Sequence, residues 1–286
     1  MAEQVLSERA PEVEATPSGR ATDTAAAPRW WSEELSVIST LWRRDMLHLL
    51  RERSRWLGVV LQPLLFWLLL GSGLSGSFRA PQHGGASYLV YFFPGTLVMV
   101  LLFTTIFATI SVIEDRQSGF LQGVLVAPGS RAATVLGKTA GVTSLALVQA
   151  ALLLLLAPLA GYPWGQVRWL PLTAVLVLGS ASLTAINFAM AWLLNSSQGY
   201  HALMSVVLLP LWVISGAMFP MPEGWLGVVM RLNPLTYIVA AVRAALGGAG
   251  APIGLLTSML VLVGMTLAGL AWAVFTTGRR PAGAQA

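Results

Sequence analysis

The apolar runs decide what this chain can become. No aspartate or glutamate occurs between Glu52 and Glu114, or between Asp115 and Glu223. Over those intervals the sequence repeats stretches near the roughly 20 apolar residues that cross a hydrocarbon layer. Six spans fall at about 57–74, 88–112, 135–158, 169–194, 201–219 and 252–276. Charged residues are 10% of the chain and hydrophobic ones 56%, whereas soluble domains carry roughly 25% charged residues. An all-α integral membrane protein is expected. The net charge of +5 does not point to nucleic acid, because the basic residues flank apolar spans, where they report orientation and contact with lipid headgroups. Cysteine is absent, which removes disulfide and thiolate chemistry.

One charged break interrupts the middle of this pattern, from Glu114 to Lys138. Glu114, Asp115 and Arg116 stop the second apolar run. Gly119 follows, and then Phe120, Leu121, Val124 and Leu125 recur at helical spacing on one face of a short helix. Pro128 and Gly129 end it, and Arg131 and Lys138 flank the next run. A short amphipathic helix at a membrane surface can receive a push from a soluble partner. The plain alternative is a solvated loop joining two spans.

Residues 1–28, rich in Ala, Glu, Pro and Thr, read as a disordered tail, without the apolar core and cleavage site of a signal peptide. Residues 29–56 form a second unit. Ser32 suits a helix cap, and Glu33 and Glu34 suit the first turn. At 100° per residue Leu35, Ile38, Trp42, Met46 and Leu49 share one face, with Arg44, Arg51 and Arg55 on the opposite one. Apolar and arginine stripes back to back predict a helix lying in the membrane interface, against lipid. The six-span domain then covers 57–278, and 279–286 form a short tail. Arg29, Arg43, Arg44, Arg51, Arg53, Arg55, Arg116, Arg131, Lys138, Arg279 and Arg280 fall on one side; Arg79, Arg168, Arg231 and Arg243 fall on the other. The positive-inside bias places both termini and the 114–138 loop in the cytoplasm.

The stretch 220–251 is too apolar for a solvated loop, yet Asn233-Pro234 splits it into two short pieces. Broken helices at membrane depth are tolerated where protein buries them or where they line a cavity. A re-entrant helical pair before the last span is expected, with Tyr237 and Arg243 on its second arm.

Catalytic and nucleotide signatures fail on context. Gly71-Ser72-Gly73-Leu74-Ser75-Gly76 matches G-x-G-x-x-G but ends a span with no strand before it. Gly137-Lys138-Thr139 resembles the end of a phosphate loop, but its first glycine position is Ala132. His48, His83 and His201 lie in separate segments with no partner at metal-ligand spacing. The spans lack the carboxylates by which proton- and sodium-coupled carriers usually work, so energy is expected from outside this chain. Polar residues within spans, Gln62, Thr104, Thr105, Gln149 and Asn187, bond between helices by default. Gln62 and Asn187 are also candidates for lining a substrate pathway.

With these pieces in place, the chain resembles the permease subunit of ABC-2 type exporters, the family that includes daunorubicin-resistance, nodulation-factor and polysaccharide export permeases. The likeness runs from about Trp31 to Thr277. It rests on three regions: Glu114-Asp115-Arg116 with Gly119, Leu121, Leu125, Pro128, Ser130-Arg131 and Gly137-Lys138; Ser215-Gly216 with Phe219-Pro220; and Asn233-Pro234-Leu235-Thr236-Tyr237 with Arg243. Gly123 stands where the family often has a larger residue.

The resemblance implies that the 114–138 loop forms a coupling helix docking on a separate ATP-binding subunit. Glu114, Asp115, Arg116, Gly119, Phe120, Leu121, Pro128 and Arg131 would lie at that contact. The N-terminal amphipathic helix would contact that subunit too, with Arg44, Arg51 and Arg55 reaching lipid headgroups or the ATPase. The resemblance also implies two permeases, either copies or sisters, around a central pathway in a bacterial inner membrane. ATP and Mg²⁺ would sit on the partner and no cofactor on this chain. The cargo expected is a hydrophobic or amphipathic small molecule; a lipid-linked glycan is the alternative. A stand-alone carrier and a membrane-embedded enzyme are the competing classes.

Overall fold

The computed structural model describes residues 30–51, 53–76, 87–121, 130–248 and 251–278. The expected terminal tails, and Pro128 with most of the short loop helix, lie outside these residues. So do the side chains over 48–50 and 53–57, Arg55 among them.

Nine α-helices are described: α1 Trp30–Arg51, α2 Arg53–Leu74, α3 Tyr88–Gln117, α4 Arg131–Leu154, α5 Trp169–Leu193, α6 Ser197–Trp212, α7 Trp225–Leu232, α8 Pro234–Ala245 and α9 Leu255–Thr277. A π-turn, Val213–Ala217, extends α6. Among the described residues five units are long and apolar enough to cross a membrane: α3, α4, α5, α6 with its π-turn, and α9. The first expected span, 57–74, corresponds to the apolar part of α2, Gly58–Leu74, which is shorter than the rest. The third begins at Arg131 instead of near 135, because Ser130 caps it by accepting from the Ala133 amide at 3.0 Å.

α3 is the hub. Every residue from Tyr91 to Leu102 is buried, and α2, α4, α5, α6 and α8 all pack on it. Its closest approach is at Gly95, where an added methyl would lie 2.7 Å from Ala217 Cβ and 2.9 Å from Ala217 Cα and O. Polar seams join the core helices. Thr104 bonds Gln149, and Asn187 Nδ2 donates to Thr105 Oγ1 at 3.1 Å. Such bonds hold helices together where lipid offers no competing partner.

The break expected at Asn233-Pro234 is present: α7 and α8 meet at 86°. The Asn233 side chain accepts from the Leu235 amide at 3.0 Å while its Nδ2 donates to the Leu211 carbonyl. Pro234 occupies the first helical position, where its missing N–H costs nothing. Thr236 Oγ1 and Tyr237 Oη donate to the carbonyls of Met230 and Arg231 at 2.6 and 2.9 Å, so the corner is tied on both arms.

Candidate functional site

The charged break forms at the end of the bundle where α3 stops and α4 starts. At 1.5 Å per residue α3 is about 45 Å long, against a hydrocarbon thickness of about 30 Å, so its last turns project beyond the apolar layer with their charges. Of the three residues that stop the apolar run, Glu114 points outward, whereas Asp115 and Arg116 are buried.

Asp115 is one corner of a closed ring of four charges. Arg44 of α1 forks onto it, Nη2 to Oδ1 at 2.6 Å and Nη1 to Oδ2 at 3.0 Å. Lys138 of α4 donates to Asp115 Oδ2 at 2.7 Å and to Asp45 Oδ2 at 3.0 Å. Asp45 Oδ1 accepts from Arg44 Nη1 at 3.2 Å, which closes the ring. Cations and carboxylates alternate and their formal charges cancel. Lys138 is 2% exposed, Asp45 6% and Asp115 8%. Arg44 is half-buried, with its guanidinium 3.7 Å from the centre of the Phe120 ring. Its hydrogen bond to Asp115 pushes its pKa above the ordinary arginine value, despite burial. Paired and hydrogen-bonded, these groups tolerate an environment that would exclude any one of them alone.

The ring closes because α1 lies very near α4. A methyl built on Gly137 would meet the Ile38 carbonyl oxygen and Leu41 Cβ, each at 3.1 Å, and one on Gly141 would meet Asp45 Cβ at 3.4 Å. Two glycines four residues apart thus give α1 a groove to rest in. Glu34 ties the start of α1 to the cap of α4, accepting from Ser130 N at 3.0 Å and Ser130 Oγ at 2.7 Å. Trp42 Nε1 donates to Ser144 Oγ at 3.0 Å.

α1 therefore has more faces than its two stripes predict. Leu35 and Trp42 of the apolar stripe remain exposed, whereas Glu34, Leu41 and Asp45 form a separate row turned toward α4. Arg44 belongs to the charge ring, and Arg51 is exposed.

Arg116 turns the other way. It bonds the carbonyls of Trp192 and Leu194, and it reaches Asn195 Oδ1 at 2.9 Å. A cation at the end of α5 faces the negative pole of that helix and fills carbonyls left without partners. Gly119 adopts φ +78°, the left-handed conformation that turns the chain away from α3. Beyond it Phe120 is 37% exposed and Leu121 is buried. Arg131 is exposed and lies beside Gly278 at the end of α9. Within the expected coupling set, the outward groups are thus Glu114, Phe120 and Arg131, while Asp115 and Arg116 bond within the chain.

The remaining candidates lie elsewhere. Arg243 is 2% exposed and bonds the carbonyls of Gly216 at 3.0 Å and Tyr91 at 3.3 Å, over the Tyr91 ring. Tyr91 Oη also donates to Gly216 O at 2.9 Å. Asn187 is buried in the helix core and Gln62 is exposed on α2, so they share no surface. Sequence reading missed Asp45, placed Glu34 only in the first turn of α1 and gave Lys138 only a flanking role. The available signal was Lys138, the lone lysine of the chain, set between Gly137 and Gly141.

Comparison with known proteins identifies the frame that carries these features. Residues 36–246 match the family model described as ABC-2 type transporter. The chain is 28% identical to a protein named as a transport permease, ycf38, of Cyanophora paradoxa, over 73% of each chain. It is 24% identical to the daunorubicin resistance ABC transporter permease protein DrrB1 of Streptomyces coeruleorubidus, over 74% of this chain and 75% of that one. Nodulation protein J of Neorhizobium galegae is 27% identical over 74% of this chain and 82% of its own length. With the family match reaching from α1 through the broken pair α7–α8, this chain belongs to the ABC-2 type transporter family of membrane permeases.

Proposed function

We propose that the chain is the membrane subunit of an ATP-driven exporter in a bacterial inner membrane, with both termini and the α3–α4 loop in the cytoplasm. ATP and Mg²⁺ are held by a separate ATPase subunit, which presses on the α3–α4 loop; two permeases enclose the pathway. The observation that carries the reading is the chemistry at the α3–α4 end. Glu114 and Phe120 face outward there, on a turn whose neighbours Asp115 and Arg116 are anchored in the bundle. An outward carboxylate and a partly exposed aromatic ring at the same end of α3, on a rigid base, suit a protein partner better than a solvated loop.

A hydrophobic or amphipathic small molecule is the cargo favoured. Daunorubicin, named for one relative, is the first probe to try. A lipid-linked glycan is the second reading.

The test uses the complex reconstituted in liposomes. Replacing Glu114 and Phe120 together with alanine is expected to leave insertion intact and to lower permease-stimulated ATP hydrolysis about tenfold, toward the lower end of the range for coupling between sites. Unchanged stimulation would place the contact elsewhere.

A further inference from the structure

Three members of the charge ring are buried inside the chain, and the fourth, Arg44, lies against Phe120, one of the outward groups assigned to the ATPase. The ring's position suggests a different task. It joins three separate elements: α1 through Arg44 and Asp45, the last turns of α3 through Asp115, and the second turn of α4 through Lys138. α1 packs chiefly on α4 and lies outside the hub around α3. Its ties at Glu34, Trp42 and Asp45 run along one side of the helix. At Gly137 even a methyl group would meet the Ile38 carbonyl oxygen at 3.1 Å, so a larger side chain would press the two helices apart.

We infer that the Arg44–Asp115–Lys138–Asp45 ring is a positioning clamp. It makes α1, the end of α3 and the start of α4 one rigid unit, so that force arriving at the α3–α4 loop moves α1 with α4 instead of bending the loop. This inference rests on the exporter reading. The closed geometry supports a clamp over a surface ion pair, because each charge contacts both of its opposites and no single contact can open without loading the others. Asp45 and Lys138 are positioning residues, since they act through Asp115 and Arg44.

The chain has no cysteine, so spin labels can be placed directly at Ser39→Cys on α1 and Ser118→Cys after α3, both exposed positions. Electron-spin distance measurements are made on the permease with its co-purified ATPase, without nucleotide and with ATP plus vanadate. The native chain is expected to give one narrow distance in both states. The variant Asp45→Asn with Lys138→Met keeps the formal charge balanced. It is expected to give a broadened or nucleotide-dependent distance and to lower stimulated ATP hydrolysis by at least about twofold, the lower end for residues that modulate coupling, while the ATPase still co-purifies. Gly137→Leu, which levers α1 from α4 without changing a charge, is expected to broaden the distance likewise. A narrow distance in both variants would overturn the clamp, as would a nucleotide-dependent distance in the native chain. If no ATPase accompanies the chain, the exporter reading fails, and the nucleotide-free comparison of native and variant chains still decides whether the ring holds the three elements together.

Discussion

Replacing Lys138 with methionine is expected to cause the largest loss of stability of any single change in this chain. Methionine matches the lysine stem in length and apolar character, so packing changes little. What changes is charge: Asp45 and Asp115, both buried, lose the cation they share. Arg44 is then the remaining cation of the ring, facing two carboxylates from its half-exposed position. Breaking a buried ion pair on one side costs about 3–5 kcal/mol, a large part of the roughly 5–15 kcal/mol that holds a domain together. In detergent the melting temperature of the variant is expected to fall by about 10 °C. Adding Asp45→Asn removes one carboxylate and is expected to recover most of that loss, because the remaining pair, Arg44 and Asp115, is balanced. Melting of the single variant within about 2 °C of native would show that the ring is not held under the burial seen here.

The second large effect is expected at Gly95. Valine there would drive its Cβ to 2.7 Å from Ala217 Cβ and 2.9 Å from Ala217 main-chain atoms. Backbone cannot swing aside as a flexible side chain can, so α3 and the π-turn must separate. The Gly95 carbonyl accepts from Trp212 Nε1 at 3.0 Å, and the neighbouring Gly216, at φ +84°, supplies the carbonyl on which Tyr91 and Arg243 converge. Separation therefore disturbs a buried arginine as well as the packing. Overpacking alone costs about 1–3 kcal/mol, and the lost carbonyl contacts add to it. Gly73→Val is the control: a Cβ there meets nothing within 4 Å. Equal thermal stability of Gly95→Val and Gly73→Val would contradict the close crossing.

How much of this was legible in the sequence depends on the kind of signal. Helical spans announce themselves because lipid imposes length and apolarity on each helix separately, and the carboxylate-free intervals flanking Glu114 and Asp115 could hardly be read otherwise. The corner at Asn233-Pro234 was legible for a local reason: the asparagine cap and the proline ring act on their own backbone. In the sequence Asp115 and Arg116 group with Glu114, since neighbours in sequence look like one charged cluster. At helical spacing they point in different directions: Asp115 reaches α1 and α4, and Arg116 reaches the end of α5. Asp45 was hidden by its neighbours. It sits among arginines on a helix whose two-stripe pattern describes a membrane surface, and its third face appears only when α4 is brought against it. Periodicity reports which faces are apolar; it does not report which polar residue will be covered by another helix.

The proposed transport by this chain requires energy from a partner. The direct measurement is purification of the tagged chain from its native membrane in mild detergent, with the accompanying proteins identified by mass spectrometry. A soluble subunit carrying a phosphate-binding loop, present in stoichiometric amount, is the predicted result. A chain that emerges alone and still moves solute across liposomes without ATP would contradict it, and a self-sufficient carrier would take its place.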